Sequence, residues 1–223
     1  MQPRHHFLLI LLLTLFAPAC FASLDYAAWA AKNQDGSWTR AAESAVASSP
    51  LIRLNPADIT QFCPNYPKLA KPERRKFWVG LLSAMSKPES NFKPEATYRE
   101  RFRDGKGRPV VSRGLLQISI ESANQKRYDC DIRHPALLHD PVINLACGVR
   151  ILSKWVSTDG VIASRHTQQH QGGGRYWSTL RAQNGKVSAI AEFTRGLPFC
   201  GARQQPRFSG VRLRPAAGAT AAR

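Results

Sequence analysis

The chain has 223 residues, 32 Lys and Arg against 15 Asp and Glu, and a formal charge of +17. With 43% hydrophobic residues it can bury a sizeable core, and its length suits one domain with extensions. That composition excludes collagen, a coiled coil and a wholly disordered chain. The positive excess calls for an anionic partner, whether nucleic acid, a membrane surface or an acidic polymer.

Residues 1–22 read as a secretory signal. Arg4 provides a positive start, residues 7–17 form an apolar run, and Pro18 breaks it before the small residue Ala22. A run of about eleven is too short to span a bilayer, which needs about 20 residues. A lipoprotein signal acylated at Cys20 is the alternative, but Ala17-Pro18-Ala19 lacks the expected leucine. Cleavage after Ala22 removes one arginine and leaves +16 on an exported, periplasmic chain. Export disfavours nucleic acid as a partner, and no nucleic-acid motif is present.

Residues 23–71 read as an N-terminal arm. Over 24–48 it is Ala-rich, with a short helix and a loosely packed remainder, and 50–71 is Pro- and Asn-rich connecting structure. From Pro72 the pattern turns helical. Pro72 and Glu73 suit a first turn, and Phe77, Trp78, Leu81, Leu82 and Met85 recur at helical spacing. Pro88 is expected to stop this helix near Ser86. Residues 93–113, with Asp104-Gly105 and Gly107, predict a hairpin or long ordered loop. Residues 114–119 are a short apolar stretch around a buried amide, Gln117. Asp140-Pro141 is a cap followed by a first-turn proline. Leu145, Val149, Leu152 and Val156 carry the helix that follows. Gly172-Gly173-Gly174 reads as a flexible joint before a short helix at 175–183. Residues 201–223, with five arginines and no acid, read as a disordered basic tail.

Cys63, Cys130, Cys147 and Cys200 remain after export. Four cysteines in an oxidising compartment suggest two disulfides with three possible connectivities. Cys130–Cys147 is favoured as a local clasp, which leaves Cys63–Cys200 to tie the ends. No C-x-x-C pair exists, and His166 and His170 lack the intervening acid of a zinc-protease helix, so neither metal nor cofactor is expected.

The position richest in chemistry is Glu89, in Ser86-Lys87-Pro88-Glu89-Ser90-Asn91-Phe92 after an apolar helix. Apolar neighbours raise a carboxyl pKa and keep a proton available near neutrality, as a general acid of glycoside cleavage requires. Taken alone, Glu89 reads rather as a solvated Glu near a helix end, paired with Lys87 or Lys93.

The order of motifs decides between these readings. Glu89-Ser90-Asn91-Phe92 precedes Gly114-Leu115-Leu116-Gln117-Ile118-Ser119, then Asp140-Pro141 and Asn144-Leu145-Ala146-Cys147-Gly148-Val149. This series resembles the lytic transglycosylase family of the soluble (SLT) type, over about residues 72–156 and more weakly to 200. The resemblance implies a mainly α, lysozyme-like domain over 72–200, with a small hairpin insertion and stabilising disulfides. It also implies cleavage of the β-1,4 bond between N-acetylmuramic acid and N-acetylglucosamine in peptidoglycan glycan strands. Glu89 would act first as acid and then as base, giving a 1,6-anhydro sugar. Ser90, Asn91 and Gln117 would orient sugar or acid. Two departures stand out. The step from Glu89 to Gly114 is about ten residues longer than usual, and the later Ala-Tyr-Asn motif is absent. Tyr176 occupies a comparable place and is expected to supply the hydroxyl that orients Glu89.

Glu95, Glu100 and Asp104 are possible second carboxylates, which keeps a lysozyme-like hydrolase open as the alternative. A non-catalytic peptidoglycan-binding module and a protein acting through charge alone are the others. The expected state is a monomer, with at most peripheral association with the envelope. The positive charge then reads as an aid to holding an acidic wall polymer.

Overall fold

The computed structural model describes residues 26–201. The signal segment, Cys20 and the basic tail beyond Gly201 lie outside the described residues. Six α-helices, short 3-10 turns and one small sheet make up the described chain. The mainly α, lysozyme-like expectation is met.

The core is built around the helix whose pattern is strongest in the sequence. The first three helices are α1 (Ser37–Ala47), α2 (Ile59–Phe62) and α3 (Lys71–Ser90). In α3, Phe77, Trp78, Leu81, Leu82 and Met85 are fully buried, and so are Val79, Ser83 and Ser86 between them. A helix buried on nearly all sides must satisfy its own hydroxyls. Ser83 Oγ donates to the Gly80 carbonyl and Ser86 Oγ to the Ser83 carbonyl, each at 2.7 Å. At the start, the Glu73 carboxylate accepts from the Ala70 N–H.

The expected end at Ser86 is corrected to Ser90, with Pro88 inside the helix. Proline lacks the one N–H that would meet the Ala84 carbonyl, and the helix runs on through that missing bond. Asn91 then stops the helix in the left-handed region (φ 52°), its N–H on the Lys87 carbonyl at 3.0 Å. Glu89 therefore rides on the last turn of α3 instead of following it.

The N-terminal segment is not loosely packed. Trp29, Ala42, Val46 and Leu51 are fully buried, and α1 packs against α3 and the later helix α5 (Pro141–Asp159). The indole N–H of Trp29 finds the Thr39 hydroxyl at 2.9 Å, and that of Trp78 finds the Tyr66 hydroxyl at 2.8 Å. Apolar bulk with a satisfied polar tip places both tryptophans in the core.

The expected hairpin is present. β1 (Thr97–Arg103) pairs antiparallel with β2 (Pro109–Arg113), which pairs antiparallel with β3 (Ile118–Ser119). At the turn, the Asp104 carboxylate accepts from the Lys106 and Arg108 N–H groups at 2.9 and 2.8 Å and pairs with the Arg108 guanidinium. These contacts hold its carboxyl below the usual range.

A short helix, α4 (Ile120–Ala123), leads to α5, which starts as expected. The Asp140 carboxylate accepts from the Val142 N–H at 2.7 Å. Leu145, Val149, Leu152 and Val156 face inward. The glycine triplet is corrected from a flexible joint to a packed turn. Gly172 to Gly174 are buried, Gly172 has φ 53°, and a Cβ there would sit 2.3 Å from the Val161 carbonyl oxygen. The helix expected at 175–183 is instead two 3-10 turns, Ser178–Leu180 and Ala182–Asn184. The sequence pattern did not reveal α6 (Lys186–Arg195), which packs on α3.

Both favoured disulfides are present, Cys63–Cys200 and Cys130–Cys147, separated by 137 and 17 residues. In the chain-entropy account, loops of these lengths are worth about 5 and about 3 kcal/mol. Paired serine substitution at 63 and 200 should therefore lower the melting temperature more than the same change at 130 and 147. Thermal denaturation of the two variants reads the order directly.

Candidate active site

The end of α3, the sheet, and the segments around Tyr128, Trp155 and Trp177 enclose a cleft of about 760 Å³. Glu89 lines it. Burial pushes the Glu89 carboxyl up from an ordinary 4.5 to about 7, the nearby Glu100 charge adds to the rise, and a hydrogen bond from Thr179 offsets part of it. In that bond the Thr179 hydroxyl donates to Glu89 Oε1 at 2.5 Å. A carboxyl half protonated near neutrality can both give and take a proton there.

Alternate residues of β1 share a face, so Tyr98, Glu100 and Phe102 all line the cleft. The Ser112 hydroxyl donates to Glu100 Oε1 at 2.6 Å. Of the three acids considered as a second carboxylate, only Glu100 lies in the cleft. Glu95 is exposed, and Asp104 is committed to the hairpin turn.

The other expected site residues divide. Gln117 lines the cleft, in the left-handed region (φ 47°). Its Nε2 donates to the Gly114 and Ala96 carbonyls at 2.9 and 3.2 Å, so half of its amide serves the loop. Tyr176 also lines the cleft, but its hydroxyl meets the Ser122 side chain and the Ser119 backbone, and burial raises its pKa. The hydroxyl on Glu89 is that of Thr179, which corrects the orienting role expected of Tyr176. Ser90 and Asn91 are outside the cleft lining, because α3 runs four residues further than expected and turns them away. Ser90 is buried, its hydroxyl 2.9 Å from the Leu115 carbonyl. Asn91 is exposed, its Oδ1 accepting from Lys87 Nζ at 2.6 Å. Their expected substrate contacts give way to tying down and capping the helix that carries Glu89.

Gly114, Asn144 and Trp177 hold the 114–117 turn in place. Gly114 has φ 76°, and a Cβ on it would collide with the Leu138 carbonyl at 2.1 Å and the Asn144 amide at 2.3 Å. The fully buried Asn144 amide donates to the Arg113 and Leu138 carbonyls at 3.0 and 2.9 Å, and accepts from the Leu116 N–H at 2.9 Å. The Trp177 indole donates to the Leu116 carbonyl at 2.8 Å. The end of α3, the turn and α5 are thus joined through buried hydrogen bonds.

A glutamate on the last turn of a helix, its carboxyl raised to about 7 inside a cleft, fits a lysozyme-like transglycosylase domain. The chain belongs to the transglycosylase SLT domain family, whose model matches residues 68–184. Among solved structures it is similar to wild-type DslA (form 2), with 43% identity, a TM-score of 0.72, and coverage of 78% of this chain and 96% of that one. Two DslA variants, each with one glutamate changed to glutamine, match at 42% identity with the same TM-score and coverage. Comparison with curated proteins gave no significant match.

Proposed function

We propose that the protein is a peptidoglycan lytic transglycosylase of the periplasm, acting as a monomer with Glu89 as its acid and base. The observation that carries this reading is the Glu89 carboxyl, held near pKa 7 by burial and aligned by Thr179 inside the cleft. The two disulfides fit an oxidising compartment. Among the described residues no helix is long and apolar enough to cross a membrane.

Protonated Glu89 gives its proton to the glycosidic oxygen between N-acetylmuramic acid and N-acetylglucosamine, and the C1–O bond breaks. The substrate's own N-acetyl group stabilises the cationic centre. Ionised Glu89 then takes the proton of the muramyl 6-hydroxyl as its oxygen bonds to C1, closing the 1,6-anhydro ring. Water is not consumed. The Gln117 amide oxygen would accept from a sugar hydroxyl, and Tyr176 shapes the wall.

Glu100 favours a second reading. A second carboxylate in the same cleft is what a hydrolase uses to activate water or stabilise the cation. Mass spectrometry of digested peptidoglycan separates the two, because the lyase leaves anhydromuropeptides and the hydrolase leaves reducing ends. Sacculi that bind the protein and release nothing would overturn both in favour of a binding module.

Thr179→Val tests the alignment of the acid. Its hydroxyl bond favours the ionised carboxylate, so its loss raises the Glu89 pKa further. The alkaline limb of the kcat/KM profile should move to higher pH, while kcat/KM falls about tenfold from lost positioning. An unmoved limb would remove Thr179 from the mechanism.

A further inference from the structure

The cleft also carries positive charge at a place the cleavage chemistry does not use. Arg127 lines it, following α4. The guanidinium lies over the Tyr128 and Trp155 rings, 5.9 and 5.5 Å from their centroids. Arg175 stacks on Trp155 as well, at 4.8 Å, but its charge is taken by Asp159 at 2.6 and 3.0 Å. Arg127 makes no hydrogen bond and no ion pair among the described residues. A guanidinium laid on aromatic faces is partly stripped of water and keeps its planar fork open, which suits a carboxylate.

Arg127 also lines a second hollow, of about 530 Å³, on the outer face of α5. Arg150, committed to Asp129, lines it too, with Ser153 and Lys154, unpaired among the described residues, one helical turn further on. The Ser153 hydroxyl is buried there without a hydrogen-bond partner. Arg127 thus stands between the glycan cleft and a cationic hollow with an unsatisfied polar atom.

We propose that Arg127 marks a subsite for a carboxylate of the peptide that each muramyl residue bears, and that the hollow along α5 receives the rest of that peptide. The inference rests on the proposed function, since it assigns the substrate's peptide to a place beside its glycan. The peptide fits better than a second glycan segment, because its carboxylates can pair with Arg127 and Lys154, whereas a neutral sugar has no charge to offer those cations.

The test uses soluble peptidoglycan glycan chains and the same chains stripped of peptide by an amidase. The readout is the ratio of kcat/KM on the two. The wild type should prefer peptide-bearing chains by about tenfold. Arg127→Gln should collapse that ratio toward one through KM, Arg127→Lys should restore part of it, and Lys154→Gln should lower it less. A wild-type ratio of one, or an Arg127→Gln loss equal on both substrates, would overturn the subsite while leaving the proposed function intact. Absence of cleavage on either substrate would overturn the proposed function and the subsite with it.

Discussion

Replacing Glu89 with glutamine should abolish muralytic activity and at the same time make the protein more stable in alkaline buffer. General acid–base groups contribute on the order of 10²–10⁴ in rate, and one residue is asked to serve both steps, so the loss should sit at the upper end. The stability change follows from linkage. The folded-state pKa of about 7 exceeds the ordinary 4.5. The folded protein therefore holds this proton more tightly than the unfolded chain. The stabilisation is complete below about pH 4.5 and is lost as pH rises through 7. Above pH 7 the wild type carries a desolvated carboxylate, at a cost of about 3 kcal/mol for a shift of this size. Glutamine keeps an acceptor for the Thr179 hydroxyl and removes that charge. Melts at pH 5 and pH 8 should show the variant close to wild type in acid and clearly higher in base. Activity of the wild type should itself fall as pH rises past about 7, as the acid loses its proton. A variant that retains activity, or that melts with the wild type at both pH values, would remove Glu89 from this role.

Asn144→Ala should be the most destabilising single change outside the tryptophan core, and it should also damage a cleft that Asn144 does not line. The side chain is fully buried and makes three hydrogen bonds. Truncation strands the Leu116 N–H and the Arg113 and Leu138 carbonyls. At about 1–3 kcal/mol for each stranded group, partly relieved by water entering the gap, the cost is about 4 kcal/mol. For a domain of this size that lowers Tm by roughly 10 °C. The same turn carries Gln117 into the cleft and offers the Leu115 and Leu116 carbonyls to Ser90 and Trp177. Activity measured well below the melt should therefore fall too. A variant that loses stability but keeps kcat/KM would show that the turn needs no clamp to hold its shape.

The residues legible in the sequence are those whose signals are local. Asp140-Pro141 announces α5 because cap and first-turn proline are adjacent. Phe77 to Met85 announce α3 because its apolar spacing is unbroken. Glu89 stands out because the apolar run ends on it. Compartment and count call for two disulfides and leave three pairings open, of which the local clasp is the favoured one. Thr179 left no such mark, since its bond to Glu89 joins residues ninety positions apart. Glu100 was one of three acids in an inserted loop. Only the pairing of β1 with β2 determines which of them faces inward. Gly172 to Gly174 read as slack because a sequence shows missing side chains but not the carbonyls and leucines pressed into their place. Pro88 misled for a related reason. Proline removes one bond, here the one to the Ala84 carbonyl, and the buried packing of α3 holds its last turn regardless.

That last turn also acts on Glu89 electrically. The peptide dipoles of a twenty-residue helix add up along its axis and leave roughly half a negative charge at its C-terminal end. Glu89 sits within that end. An anion there sits in the negative potential of that end, so the backbone works in the same sense as burial and favours the proton on the acid. Moved to the first turn of α3, the same glutamate would meet the positive end and lose its proton more readily. The direction in which the chain runs through the core thus helps to set the pH at which the acid is charged.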